Sequence, residues 1–279
     1  MTRRTLARRI SADGVTLHTG VTAHMVLHPA EPGSGIVFRR NSVSIPALWS
    51  HVSETRLGTV ISHEGESIAV IEHLMAAFAG AEIDDCLVEL DAPEPPILDG
   101  DALSYLRLIE EAGIREQAGE LTTLTLMRDV EVRAGNASCR LLPAKEASFV
   151  FEIDFAASAI GRQSFVFPFS RERFRADIAP ARTFGFLAEA EQLRAAGLAR
   201  GADLTNTLVV DGDRVVNAEL QRFPDEFVRH KILDAIGDLK LAGHRLVARF
   251  EGARSSHALN NGLLHALFAD PANYTLARG

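Results

Sequence analysis

Cysteine is scarce in this sequence, which has only Cys86 and Cys139 among 279 residues. Two distant cysteines exclude a disulfide-stapled fold and a cysteine zinc finger, and they favour a reducing, cytoplasmic location. No apolar run reaches the roughly 20 residues that a membrane-spanning helix needs, so no integral membrane segment is expected. Positive charge is also limited, because 29 Lys and Arg face 37 Asp and Glu and the net charge is −8. This balance argues against a general nucleic-acid-binding protein.

The composition is otherwise that of a globular protein, with 47% hydrophobic and 24% charged residues. Two blocks follow one another in which β-like runs precede helical patterns, and the polar residues 115–120 stand at the junction. Strands and helices grouped in this way are typical of an α+β fold with separate layers. We therefore predict an α+β protein of two similar units, residues 1–118 and residues 119–279.

Two segments have the apolar spacing of helices with one buried face. The first covers residues 68–80, with Ser67 as a candidate N-cap and Gly80 at the position of a left-handed C-terminal cap. The second covers residues 226–242. Gly237 inside it costs about 1 kcal/mol relative to alanine, so we predict that it marks close helix packing.

These two helices carry residues that suit a metal site. His230 and Asp234 stand one helical turn apart, so their side chains share a face and can reach one zinc ion. The same spacing also suits a local ion pair. Glu72 and His73 lie among apolar neighbours, either on a solvated helix shoulder or as a base beside a third metal ligand. Two histidines and one carboxylate leave a fourth position open, as in catalytic zinc sites.

Further candidates lie outside this group. His257, in the block SSHALNN, is either an ordinary loop histidine or a proton donor to a leaving amine. Asp238 lies two turns beyond His230 and could orient such a histidine, as carboxylates do in other sites. Thr183 and Phe184, in the block ARTFGF, offer a hydroxyl donor to an oxyanion and an apolar contact.

Taken together, the blocks IEHLMAAFAG, ARTFGF, DEFVRHKILDAIGDL and SSHALNN resemble one family. It is the zinc-dependent UDP-3-O-acyl-N-acetylglucosamine deacetylases, which catalyse the committed step of lipid A synthesis in Gram-negative bacteria. Counterparts of GVTLHTG, APEPPILDG, AIGRQSF, VVDGDRVVN and GHRLVARF follow in the same order, so the resemblance covers essentially the whole chain. It implies two similar α+β domains with their helices between two outer sheets and the site at the domain interface. It also implies a β-α-β insert in the second domain, near residues 186–216, that forms a tunnel for the acyl chain.

The resemblance also implies a role for each matching residue. The implied zinc ligands are His73, His230 and Asp234. The implied catalytic residues are Glu72 as general base, His257 as cationic proton donor, Asp238 as its carboxylate partner and Thr183 as the hydroxyl on the oxyanion side. The implied substrate-binding residues are Phe184 near the sugar, Lys231 near the nucleotide diphosphate and Arg254 where a lysine is common. The substrate would be an acylated UDP-sugar and the protein a monomer, and ferrous iron is an alternative to zinc because a site of two histidines and a carboxylate accepts both.

The chain departs from the family pattern at several positions, some of which lie toward the nucleotide in relatives. They are Gly58, Asp101, Leu142, Ala156, Ala157 and Arg254. None is expected to touch the metal or the base. Three hypotheses therefore stay open: a deacetylase of an acylated UDP-sugar, the same zinc chemistry on a different N-acyl substrate, and a non-catalytic binding protein that retains the fold.

Overall fold

The structure, a computed structural model, describes residues 2–278 and confirms the predicted α+β class. Its elements up to residue 120 are β1 (Thr2–Leu6), β2 (Ile10–Val15), β3 (Thr22–Pro29), β4 (Ile36–Arg40), β5 (Val43–Pro46), β6 (Val52–Glu54), β7 (Val60–His63), β8 (Glu66–Ile68), α1 (Glu72–Ala81), β9 (Cys86–Leu90), α2 (Leu103–Ala112) and β10 (Ile114–Glu120). The later elements are β11 (Thr122–Leu126), β12 (Val130–Ala134), β13 (Ala137–Pro143), β14 (Ser148–Asp154), β15 (Arg162–Pro168), α3 (Arg171–Arg173), β16 (Phe184–Phe186), α4 (Leu187–Ala195), β17 (Leu208–Asp211), β18 (Arg214–Val215), α5 (Glu226–Lys240), β19 (Arg245–Ala253), α6 (His257–Ala269) and β20 (Tyr274–Arg278). Single turns of 3₁₀- or π-helix cover Trp49–His51, Phe174–Ile178, Ala218–Leu220 and Pro271–Asn273.

Each part of the chain builds one large sheet. The first has the strand order β2-β3-β9-β4-β5, and the second has the order β12-β13-β19-β11-β20, with β14 also paired to β19 and β15 to β14. In β14, Phe149, Phe151 and Ile153 are buried and alternate with more exposed residues. Successive side chains of a strand point to opposite faces, so one face of this sheet packs on the core.

The polar segment predicted as a junction is a strand. Residues 115–120 belong to β10, which pairs antiparallel with β1 in a two-stranded ribbon. Most of the β10 residues are exposed, and Arg4 of β1 lies 3.6 Å from Glu116 across the ribbon. A ribbon that buries little apolar surface needs no apolar alternation, which explains why its sequence resembles a linker.

Helices α1 and α5 pack directly against each other at Gly237. A Cβ atom at this position would lie 2.0 Å from the backbone oxygen of Glu72, so only glycine permits this approach. The prediction that Gly237 marks close packing is therefore confirmed. This contact places the start of α1 beside the C-terminal part of α5.

The predicted boundaries of the first helix are wrong. Ser67 lies in β8 rather than at an N-cap, and the helix begins later, at Glu72. Gly80 is inside the helix, where a Cβ atom would lie 2.1 Å from the ring of Phe174. Glu82 takes the left-handed conformation that ends the helix, with φ of 57°. Glycine is therefore required at position 80 because a phenyl ring packs against it, and not because it caps the helix.

Helix α1 is buried on every side, since all of its residues except Ala79 are buried. Polar side chains in such a helix are costly unless they are partnered, so Glu72 and His73 require a specific environment. Among residues 2–278, no helix combines the length and apolar character needed to cross a membrane.

A β-α-β unit occupies the region where the resemblance implies an insert. Strands β16 and β17 are parallel, with Phe184 opposite Leu208, and α4 connects them. The unit begins slightly before the expected residue 186. A tunnel for an acyl chain within it stays a prediction.

Candidate active site

Three buried side chains from α1 and α5 converge on one point. Oδ1 of Asp234 lies 3.3 Å from Nε2 of His230 and 3.7 Å from Nε2 of His73. Each of the three residues is at most 3% exposed. One potential ligand atom from each lies within 4.8 Å of the others, which is compatible with a single metal ion between them.

The protonation states of these groups fit a metal site. Burial, reinforced by His230, lowers the pKa of His73 to about 3, and burial also lowers the pKa of His230. Burial alone would raise the pKa of Asp234, but electrostatic stabilisation of its carboxylate by the neighbouring His230 and Lys231 side chains outweighs it and holds that pKa well below its usual range. Two neutral imidazoles and a carboxylate are the forms that bind divalent cations.

Hydrogen bonding around the three residues supports the same reading. Nδ1 of His230 lies 3.1 Å from the carbonyl oxygen of Ala181, so it can donate a proton there and leave Nε2 free as a ligand. Oδ2 of Asp234 accepts a hydrogen bond of 2.7 Å from the ammonium of Lys231. Oδ1 of Asp234 is buried without a hydrogen-bond donor among the described residues. An orphaned carboxylate oxygen facing two imidazoles is explained by a cation between them.

Glu72, the first residue of α1, lies beside this group. Its Oε2 accepts a hydrogen bond of 3.0 Å from the backbone N–H of Thr59. Burial raises the pKa of Glu72 to about 7, so its carboxylate accepts a proton more readily than an exposed one. A Cβ atom at Gly58 would lie 2.9 Å from Oε1 of Glu72. Gly58, one of the departing positions, therefore leaves free the space beside the base that a larger side chain would fill.

His257, the first residue of α6, faces Glu72 across the site. Its Nε2 lies 3.8 Å from Oε1 of Glu72 and its Nδ1 lies 2.9 Å from Oδ2 of Asp238. Burial alone would lower the pKa of His257, but the carboxylates of Asp238 and Glu72 outweigh it and raise the pKa to about 9. His257 is therefore an imidazolium whose Nδ1 donates to Asp238.

Two hydrogen-bond partners of Asp238 were not predicted from the sequence. The hydroxyl of Thr59 lies 2.6 Å from Oδ1 of Asp238, and the amide nitrogen of Asn260 lies 2.9 Å from Oδ2. All three residues are buried. Asn260 could have been found, because it follows His257 by one turn in the same helix. Thr59 has no such signal, since it lies far from Asp238 in the sequence.

An open cavity of about 230 Å³ gives access to the site. Thr183, Phe184 and Lys231 line it together with Glu72, His257 and the three potential metal ligands. Arg56 also lines it, is exposed and makes no ion pair among the described residues, although the sequence did not single it out. Arg254 is not part of the lining, and its guanidinium lies 2.6 Å from Oδ2 of Asp154.

Other departing positions have roles away from this cavity. Oδ1 of Asp101 accepts a hydrogen bond of 2.9 Å from the backbone of Ser104 at the start of α2, and its carboxylate pairs with Arg222. Leu142 lies in β13 opposite Arg249. Neither Asp101 nor Leu142 lines the cavity.

Comparison with known proteins identifies one family. The model of the family described as LpxC, UDP-3-O-acyl N-acetylglycosamine deacetylase, matches residues 3–269. The UDP-3-O-acyl-N-acetylglucosamine deacetylase of Myxococcus xanthus is 44% identical, with 98% of this chain and 88% of the relative covered. The proteins of the same name from Phenylobacterium zucineum and Campylobacter fetus are 46% and 40% identical, covering 92% and 99% of this chain and 90% and 95% of their own. The chain therefore belongs to the UDP-3-O-acyl N-acetylglycosamine deacetylase family.

Proposed function

We propose that this chain is a zinc-dependent amide hydrolase that removes acetate from a UDP-3-O-acyl-N-acetylglucosamine, the committed step of lipid A synthesis. The observation that carries the proposal is the meeting of His73, His230 and Asp234 with Glu72 and His257 at one cavity. The names of the relatives supply the substrate. Ferrous iron is the alternative metal. We expect the protein to be a cytoplasmic monomer built of two α+β units.

The metal would be held by His73, His230 and Asp234. When bound, a divalent cation supplies Lewis-acid activation of water and of the amide carbonyl. Lys231 orients the carboxylate of Asp234 through its hydrogen bond of 2.7 Å. The carbonyl of Ala181 fixes the ring of His230 in the same way.

Glu72 is the proposed general base. Its raised pKa, about 7, suits a group that takes a proton from attacking water near neutral pH. The backbone N–H of Thr59 holds one carboxylate oxygen and leaves Oε1 facing His257. The attacking oxygen would form its bond to the amide carbon while its proton moves to Glu72.

His257 is the proposed general acid. As an imidazolium with a pKa of about 9, it stabilises the negative charge that develops on the amide oxygen and donates a proton to the departing amine. Asp238 acts as a positioning residue, because it accepts a hydrogen bond from Nδ1–H of His257 and aims Nε2 at the site. Thr183, which lines the cavity, would donate its hydroxyl to the oxyanion.

Substrate binding is proposed to involve Phe184 at the sugar and Lys231 toward the diphosphate. Arg56 adds a second cation at the cavity, whereas Arg254 would have to leave Asp154 to bind a phosphate. The β16–α4–β17 unit would hold the acyl chain. The alternative is the same chemistry on a different N-acyl substrate, for which the changed residue Gly58, beside Glu72, is the structural argument, whereas Leu142 lies outside the cavity.

Mass spectrometry of the reaction mixture tests this proposal. The chain loaded with zinc should convert the acylated UDP-N-acetylglucosamine to the free amine and acetate. The E72Q variant serves as the control, because it retains the metal ligands. Turnover of another N-acetyl sugar without turnover of this substrate would favour the alternative, and no turnover of any N-acyl substrate by the loaded chain would contradict both.

A further inference from the structure

A second cavity lies at the opposite end of α5 from the potential metal ligands. Its volume is about 200 Å³, and its lining residues are all different from those of the catalytic cavity. Most of its walls are apolar, with Phe149, Phe250, Ile236 and Leu239 among them. An apolar cavity of about 150 Å³ accommodates benzene in another protein, so this one has room for a ring or a short alkyl chain.

One cation at this cavity lacks a counterion of its own. Lys240, the last residue of α5, lines the cavity, and its ammonium forms no direct ion pair or hydrogen bond among the described residues. The nearby carboxylates attract Lys240 from a distance but are already paired with arginines. Asp84 lies 3.1 Å from Arg245, and Asp85 lies 2.6 Å from Arg3. Glu82, which also lines the cavity, lies 3.8 Å from Arg245. Burial lowers the pKa of Lys240, which reflects a charge deprived of water.

We propose that this cavity binds a small monocarboxylate with an apolar body. The carboxylate accepts a hydrogen bond from the ammonium of Lys240, and the body packs among the aromatic and aliphatic walls. A ligand of this class satisfies both features at once, because it neutralises a partly desolvated cation and fills apolar space. The proposal is independent of the deacetylase reaction, since it uses none of the residues assigned to that site.

Titration calorimetry on the full-length, zinc-loaded chain tests the proposal with hexanoate as the probe. Hexanol tests the apolar contribution alone and acetate tests the charge alone. Hexanoate should bind at one site per chain, and each control ligand should bind at least roughly tenfold more weakly. Binding should also raise the melting temperature, since a ligand of the native state stabilises it. Absence of hexanoate binding, or equal binding of hexanol, overturns the proposal.

Variants locate the bound probe. K240M should weaken hexanoate binding roughly tenfold or more, whereas K240R keeps the charge and should retain more of the affinity. K145M is the matched control, because Lys145 is exposed and lies outside the cavity lining. Carboxylates also bind metals, so H230A is measured in parallel and should bind hexanoate unchanged. Loss of binding in H230A with full binding in K240M places the probe at the catalytic site and contradicts the proposal, as does equal loss in K240M and K240R.

Discussion

The hydroxyl of Thr59 donates a hydrogen bond of 2.6 Å to the carboxylate of Asp238, and both residues are buried. The backbone N–H of Thr59 donates to Glu72 at the same time, over 3.0 Å. One residue therefore holds both the proposed base and the carboxylate that pairs with His257. Thr59 therefore fixes the position of the proposed base, Glu72, relative to the proposed acid, His257.

Replacing Thr59 should affect the chemical step more than substrate binding. T59V keeps the side-chain shape but removes the donor to Asp238, and kcat should fall roughly 10- to 100-fold with little change in KM. T59S restores the hydroxyl and should recover most of the rate. Steady-state kinetics of both variants provide the check. Equal kcat values for T59V and T59S would show that the hydroxyl has no positioning role.

Removing one potential ligand should remove the metal. H230A leaves only His73 and Asp234 at the site, so we expect most of the bound divalent cation to be lost while the fold is retained. Elemental analysis of the purified variant, with circular dichroism as the folding check, measures this. H63A is the matched control, because His63 is exposed and outside the group. Full metal occupancy in H230A would refute the ligand assignment.

Glu72 should be required for turnover and not for metal binding. E72Q keeps the size of the side chain and can still accept the hydrogen bond from Thr59, but it cannot take up a proton. We expect kcat to fall by about 10²- to 10⁴-fold with metal content unchanged. A variant that turns over at nearly the wild-type rate would exclude Glu72 as the base.

The pH dependence of kcat/KM should be bell-shaped. Glu72 must be ionised, so the rate rises as pH passes through its pKa, which burial raises to about 7. His257 must be protonated, so the rate falls as pH passes through its pKa, which neighbouring carboxylates raise to about 9. A bound cation lowers both values, because its charge favours the carboxylate and disfavours the imidazolium. D238N removes one of those carboxylates and should move the alkaline limb to lower pH, and an unmoved limb would contradict the assignment of His257.

Sequence spacing predicted the parts of the site that lie on one helix. His230, Asp234 and Asp238 share a face of α5 because they recur every fourth residue, and Gly237 signalled the close approach of α1. Which histidine of the chain would complete the group was decided by the family motif and not by periodicity. The meeting of α1 with α5 is a tertiary contact that no local pattern encodes.

The incorrect or missing predictions arise from contacts between segments that are distant in the sequence. Gly80 was predicted to cap the helix because local sequence shows only a glycine near the helix end. Its actual role is to make room for the ring of Phe174, which comes from a distant segment. The strand at residues 115–120 gave no strand pattern, because a two-stranded ribbon exposes most of its side chains, and the division of the chain at this segment stays a prediction. Thr59 was overlooked for the same reason, since its partner Asp238 belongs to another part of the chain.

The most direct test of the account is acetate release from a UDP-3-O-acyl-N-acetylglucosamine before and after metal removal. The purified chain is treated with a chelator, assayed, and assayed again after stoichiometric Zn²⁺ is returned. We expect activity to disappear with the metal, to return with Zn²⁺ in the wild-type chain and not to return in H230A. Undiminished acetate release by the metal-free chain would contradict this expectation.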